Sequence, residues 1–99
     1  MMKKYEGLFI LKPNLTEDEF GKLSTAVVEV ITKNNGNVDR KEDMGVRDLA
    51  YQIKKEKKGR YLLAYFTAEP KAISVIEKAY KLNESILRSA VFEHEPRPL

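Results

Sequence analysis

Apolar and polar residues recur along this chain with two different periods, and the switches between them mark out the elements. Tyr5 to Leu11 is a short aliphatic and aromatic run stopped by Pro13-Asn14, the pattern of a buried strand. Phe20, Leu23, Val27, Val30 and Ile31 then follow at helical spacing and define one buried stripe. Thr16 reads as the N-cap of that helix, with Glu19 completing a capping box and Leu15 and Phe20 placed as a hydrophobic staple. Glu17, Asp18 and Glu19 add negative charge at the positive end of the helix dipole. Asn34-Asn35-Gly36 supplies residues that tolerate left-handed backbone and ends it.

Val38 to Ile53 reads as a long strand with a change of phase. Val38, Met44 and Val46 fall on even positions, whereas Leu49, Tyr51 and Ile53 fall on odd ones. A period of two cannot change face without an inserted residue, so a bulge or kink is predicted near Gly45 to Asp48. Tyr61 to Thr67 is the next strand. Glu69-Pro70 opens a second helix, with Pro70 at the tolerated first position and Ile73, Ile76 and Tyr80 turned inward. Ile86 to Phe92 forms the last strand, and Glu95-Pro96-Arg97-Pro98 cannot continue a sheet.

The order strand, helix, strand, strand, helix, strand predicts two split strand-helix-strand units with right-handed crossovers. The expected fold is α+β and ferredoxin-like (βαββαβ), a four-stranded antiparallel sheet with two helices packed on one face. Residues 1–93 are read as a single domain and 94–99 as a short tail. With 99 residues the chain has material for one modest core.

Charge changes this picture more by place than by amount. The net charge is +3, from 18 basic and 15 acidic residues, and the sequence pI is near 9.1. That value makes nucleic-acid binding a fair prior and no more. No cysteine is present, which removes disulfides, thiol catalysis and thiolate metal sites. The apolar run at the start is too short for an export core, and no segment has the roughly 20 apolar residues needed to cross a bilayer. The expectation is a cytoplasmic protein with no membrane role, no cofactor and no small-molecule substrate.

Enzymatic chemistry finds little support. The lone His94 is expected to be a solvated tail residue, and the serines lack a histidine base. No ligand spacing suggests a metal. An acylphosphatase-type enzyme shares this strand order, but it needs a glycine-rich anion loop with an arginine after the first strand. Here that link is Lys12-Pro13-Asn14-Leu15.

The dense basic stretch is Lys54-Lys55-Glu56-Lys57-Lys58-Gly59-Arg60, at the tip of the predicted hairpin. Charge at such a tip can serve only to keep an edge soluble. Its company argues for more: Lys3 and Lys4 precede the first strand, Arg47 sits at the predicted bulge, and Arg88 interrupts the last strand. Arg88 must point away from the helices, because burying an unpaired guanidinium is very costly. Ile86, Ala90 and Phe92 are then expected on the same outer face, together with Tyr61, Leu63 and Tyr65. An open face of aromatics, aliphatics and arginine suits a partner protein, RNA, or both. Lys58-Gly59-Arg60-Tyr61-Leu62-Leu63-Ala64-Tyr65 begins like the third strand of an RNA recognition motif but has Arg60 and Leu62 where two stacking rings belong. Phosphate contact therefore ranks above base stacking. The alternative is an interaction module that self-associates through this face.

Several stretches resemble one family, the bacterial small-subunit ribosomal protein six. They are Lys4-Tyr5-Glu6, Pro13-Asn14-Leu15, the run Glu42-Asp43-Met44-Gly45-Val46-Arg47-Asp48-Leu49-Ala50-Tyr51-Gln52-Ile53, and Asn83-Glu84-Ser85-Ile86-Leu87-Arg88-Ser89. The resemblance implies a structural component of the small ribosomal subunit that binds small-subunit (16S) ribosomal RNA together with ribosomal protein eighteen. Arg47, Arg88 and Lys4 match basic positions of the family's motifs. Asp48 stands where members often carry a second basic residue, which is expected to weaken local phosphate contact, and Gln52 replaces a frequent proline, which is expected to make the strand more regular. The resulting expectation assigns RNA contact to Lys3, Lys4, Arg47, Lys54, Lys55, Lys57, Lys58, Arg60 and Arg88, and partner contact to Tyr61, Leu63, Tyr65 and Phe92.

Overall fold

The computed structural model describes residues 1–94, and its elements follow the pattern read from the sequence. They are β1 (Lys3–Leu11), α1 (Glu17–Lys33), β2 (Asn37–Ile53), β3 (Glu56–Ala68), a 3-10 turn (Pro70–Ala72), α2 (Ile73–Lys81) and β4 (Ile86–Glu93). The strands lie in the order β2-β3-β1-β4, with every neighbouring pair antiparallel. This is the ferredoxin-like βαββαβ arrangement. The tail beyond His94 lies outside the described residues.

The first helix starts where its sequence directs, and the second a turn later. The Thr16 hydroxyl accepts from the Glu19 N–H at 3.1 Å, and the Glu19 carboxylate accepts from the Thr16 N–H at 2.9 Å. The Thr16 N–H, and after it the Thr16 hydroxyl, hold the Glu19 carboxyl below its ordinary range. Pro70 begins a short 3-10 turn, so the second helix proper opens three residues later, at Ile73.

The core lies between the sheet and the helices. Tyr5, Phe9 and Leu11 of β1 alternate inward, as do Leu62, Ala64, Phe66 and Ala68 of β3. Leu23, Val27 and Ile31 from α1 and Ile76 and Tyr80 from α2 close over them. The Tyr80 ring meets Phe9 edge-on at 4.7 Å, and its hydroxyl donates to the Val27 carbonyl at 2.8 Å. That bond ties the two helices together, and burial pushes the Tyr80 hydroxyl's pKa well up.

Two positions correct the expected faces. The predicted bulge falls one residue earlier: Asp43 pairs with Leu62 and Gly45 with Tyr61, leaving Met44 as the inserted residue. Gly45 has a φ of 81°, which glycine adopts without penalty, and its N–H donates to Asp43 Oδ1 at 3.0 Å. Ile86 was expected on the outer face, but it is buried in the core. Arg88 pairs with Ile10 and Ile86 with Leu11, so Leu87 is inserted and the strand changes face between them.

Asp43 also anchors a charge. Its carboxylate accepts from Arg60 Nε at 3.2 Å and Nη2 at 2.5 Å. The Arg60 guanidinium holds the Asp43 carboxyl below the usual aspartate range. A carboxyl depressed in the native state contributes stability above its unfolded pKa of about 3.9, and this is lost as pH falls through the lower native value. We therefore expect Asp43→Asn to flatten the acid limb of a stability–pH curve below about pH 4, by less than about 1 kcal/mol because the pair is partly exposed. Parallel acid limbs for the two proteins in urea titrations would exclude this.

Candidate nucleic-acid interface

Period-two alternation puts a second set of side chains on the face the helices leave open. Glu6, Leu8 and Ile10 of β1, Tyr61, Leu63 and Tyr65 of β3, and Arg88, Ala90 and Phe92 of β4 share it, as the pairings of β1 with both neighbours require. Phe92 is 57% exposed, and Tyr61, Leu63 and Tyr65 are half-buried. All four residues expected to meet a partner thus lie on one face.

The β2–β3 hairpin bends over one end of this face. Asp48 pairs with Lys58 and Ile53 with Glu56, so residues 49–52 stand opposite the single Lys57 and must bow out of the ladder. Ile10 and Leu49 close over Gly59, where no side chain would fit. The Tyr51 hydroxyl accepts from Arg88 Nη1 at 2.9 Å, which links the bowed segment to β4.

Lys54 and Lys55 form the two-residue turn, with φ of 49° and 70°. Left-handed backbone at both central positions is the requirement of a type I′ hairpin, which favours Asn-Gly over two long side chains. Lysine there is strained. Replacing the pair (Lys54→Asn with Lys55→Gly) should raise stability by on the order of 1 to 2 kcal/mol; a lower urea midpoint for the double variant would contradict the turn assignment.

Arginines are laid on the tyrosines of the open face. Arg47 lies 5.9 Å from the centre of the Tyr61 ring, and Arg40 lies 4.5 Å from that of Tyr65. With the Arg88–Tyr51 bond, three arginine–tyrosine pairs result. Each arginine keeps N–H donors for a further acceptor. Sequence reading missed Arg40 and Tyr51. Tyr51 had a visible signal in its odd phase with Leu49. Arg40 had none, because the face it occupies depends on an insertion at Asp39.

The remaining cations fall into two groups. Lys54, Lys55, Lys57 and Lys58 are exposed at the hairpin, with Lys58 only loosely paired to Asp48 at 3.8 Å. Lys55, Lys57 and Lys58 line a shallow groove with Pro13 and Val46, while Lys54 faces the start of β4. Lys3 and Lys4 lie at the opposite end of β1, nine residues long, opposite Ala68 and Thr67. Lys4 is exposed, and Lys3 is paired to Glu93 at 3.2 Å.

Arg60 departs from the expectation of a free cation. Its side chain is 14% exposed, bound to Asp43 and lying 3.5 Å from the centre of the Phe20 ring. It faces the helices because it is in phase with Leu62, and burial is tolerated there only with the Asp43 partner. His94 is exposed, as expected of a tail residue, but it is also held in place. Its N–H donates to the Lys4 carbonyl at 2.8 Å, its Nδ1 lies 2.5 Å from Glu6 Oε1, and its ring meets Tyr65 edge-on.

A half-covered antiparallel sheet with arginines set beside its tyrosines defines a ferredoxin-like domain with one sheet face left open. Comparison with known proteins makes the class specific: residues 4–93 match the family described as ribosomal protein S6, and the chain belongs to that family. It is 47% identical over 96 residues to the small ribosomal subunit protein bS6 of Helicobacter pylori (strain G27), covering 97% of this chain and 68% of that one. Against the bS6 of Campylobacter jejuni (strain RM1221) the identity is 42% over 94 residues, covering 95% and 75% of the two chains. The crystal structure of 30S ribosomal protein S6 from Thermotoga maritima superposes with a TM-score of 0.87 at 33% identity, covering 95% of this chain and 89% of that one. Family membership makes this chain a constituent of the small ribosomal subunit, in the cytoplasm, and sets aside the acylphosphatase reading. Among the described residues no helix is long and apolar enough to cross a membrane.

Proposed function

We propose that this chain binds small-subunit (16S) ribosomal RNA in company with small-subunit ribosomal protein eighteen. The observation that carries the reading is the set of arginine–tyrosine pairs on the open face, Arg47 with Tyr61, Arg40 with Tyr65 and Arg88 with Tyr51. Among the described residues Arg47 and Arg88 are positioned by their tyrosines with no carboxylate in ion-pair distance, so they remain available to phosphate oxygens, whereas Arg40 is also paired to Glu42 at 3.0 Å. Arg47, Arg88, Lys54, Lys55, Lys57 and Lys58 at the hairpin end, with Lys4 at the other, contact RNA. Lys3 contributes less because Glu93 competes for it, and Arg60 is a structural ion pair.

The apolar part of the same face, Tyr61, Leu63, Tyr65 and Phe92, meets protein eighteen. An exposed patch of this kind gains by being covered. RNA and protein thus share one surface, and each completes the other's site. Sedimentation of the tagged chain through a gradient of lysate tests the reading: co-migration with small subunits containing protein eighteen supports it. Migration as a free homodimer would favour self-association through the same face instead.

A further inference from the structure

We infer that a crevice between the hairpin tip and the start of β4 holds one phosphate of the bound RNA, an inference that rests on the RNA-binding reading above. The crevice has a volume of about 320 Å³ and is lined by Lys54 from the tip, Lys81 from the end of α2, and Leu87, Arg88 and Ser89 from β4. Three cations from three separate elements share one concavity whose lining contains no acidic residue. Among the described residues, none of the three stands within ion-pair distance of a carboxylate. Like charges gathered without a counter-charge repel one another, and concave walls focus their field on an entering anion.

Arg88 is oriented for that anion. Its Nη1 donates to the Tyr51 hydroxyl at 2.9 Å, which fixes the planar fork and leaves its other N–H groups free. The end of α2 is the negative pole of a helix and would by itself disfavour an anion. Two of its terminal carbonyls are already engaged: the Leu82 N–H donates to the Lys78 carbonyl at 3.3 Å and the Asn83 N–H to the Tyr80 carbonyl at 3.1 Å. Lys81 stands beside them as a positive charge. A tetrahedral phosphate can meet the arginine fork and two lysine point charges together, whereas a planar carboxylate is matched by the fork alone. Lys81 thereby enters the RNA footprint, which extends from the open sheet face to the end of α2.

Lys81→Gln tests this in the full chain. The variant is titrated with a small-subunit ribosomal RNA fragment, in the presence of protein eighteen, across a series of salt concentrations. We expect about three- to tenfold weaker binding and a log–log salt slope smaller by about 0.7 to 0.9, the share of one phosphate contact. Its unfolding midpoint should fall only slightly, since Lys81 is exposed and loses only its interaction with the end of α2. A slope equal to that of the parent chain overturns the crevice while leaving the RNA reading intact. Failure of the parent chain to bind the fragment overturns the reading itself. As a second readout, inorganic phosphate should move the backbone amide resonances of Arg88 and Ser89 in the parent chain and not in Lys81→Gln; identical responses would also exclude the site.

Discussion

Replacing Phe9 by alanine should remove about 3 to 5 kcal/mol of folding stability, the largest effect expected of any single change in this chain. Phe9 has no exposed surface and occupies the middle of β1, which is hydrogen-bonded to strands on both sides. Its ring packs edge-on against Tyr80 at 4.7 Å, so truncating it uncouples β1 from α2. The strands on both sides and the Tyr80 ring of α2 hold the space, and the site cannot collapse cheaply. Against a total stability of about 5 to 15 kcal/mol for a small domain, the variant should be partly unfolded at moderate temperature. Urea titration followed by circular dichroism measures this. A drop below about 1 kcal/mol would mean that the core is not organised around this ring.

The second large effect is on binding and should leave the fold alone. Changing both Arg47 and Arg88 to alanine should weaken binding of small-subunit ribosomal RNA by about 100- to 200-fold, if each arginine makes a charge-assisted hydrogen bond of roughly 1.5 kcal/mol. Both side chains are exposed, and their partners within the chain are a tyrosine ring and a surface hydroxyl. Stability should therefore change by no more than about 1 kcal/mol. The salt slope should drop by about 1.4 to 1.8, because two phosphates would no longer be neutralised. Equal affinity with an unchanged slope would remove both residues from the interface.

Much of this architecture was legible because local and long-range signals agree. The capping box at Thr16 and Glu19 forms as read, and the inward stripes of α1 and α2 are the ones that helical spacing marked. The alternation Tyr61, Leu63, Tyr65 against Leu62, Ala64, Phe66 placed β3 on both faces correctly. What escaped depends on inserted residues and on partners distant in sequence. Counting by twos put Ile86 outside, because an insertion at Leu87 leaves no mark in hydropathy. The bulge at Met44 is fixed by Asp43 bonding to the Gly45 N–H, one residue before the phase change became visible. Arg60 looked like part of the basic tip because its partner Asp43 lies 17 residues away.

The open face and its candidate site were legible in kind and less so in detail. The cations marked in the sequence divide between the two ends of β1 and do not form one patch. The hairpin group gains coherence from the bowed segment 49–52, which brings Tyr51 to Arg88. Gln52, where the family often has proline, lies within that segment and does not keep it straight.

The claim on which this account turns is that surface cations beside a bared pleat grip ribosomal RNA only when a second protein shares the surface. Isothermal titration of the purified chain with a small-subunit ribosomal RNA fragment, with and without protein eighteen and at several salt concentrations, measures it directly. We expect weak binding alone, markedly tighter binding with the partner, and a log–log salt slope corresponding to about three to five phosphates. Tight, salt-insensitive binding by the isolated chain, or no gain from protein eighteen, would contradict it.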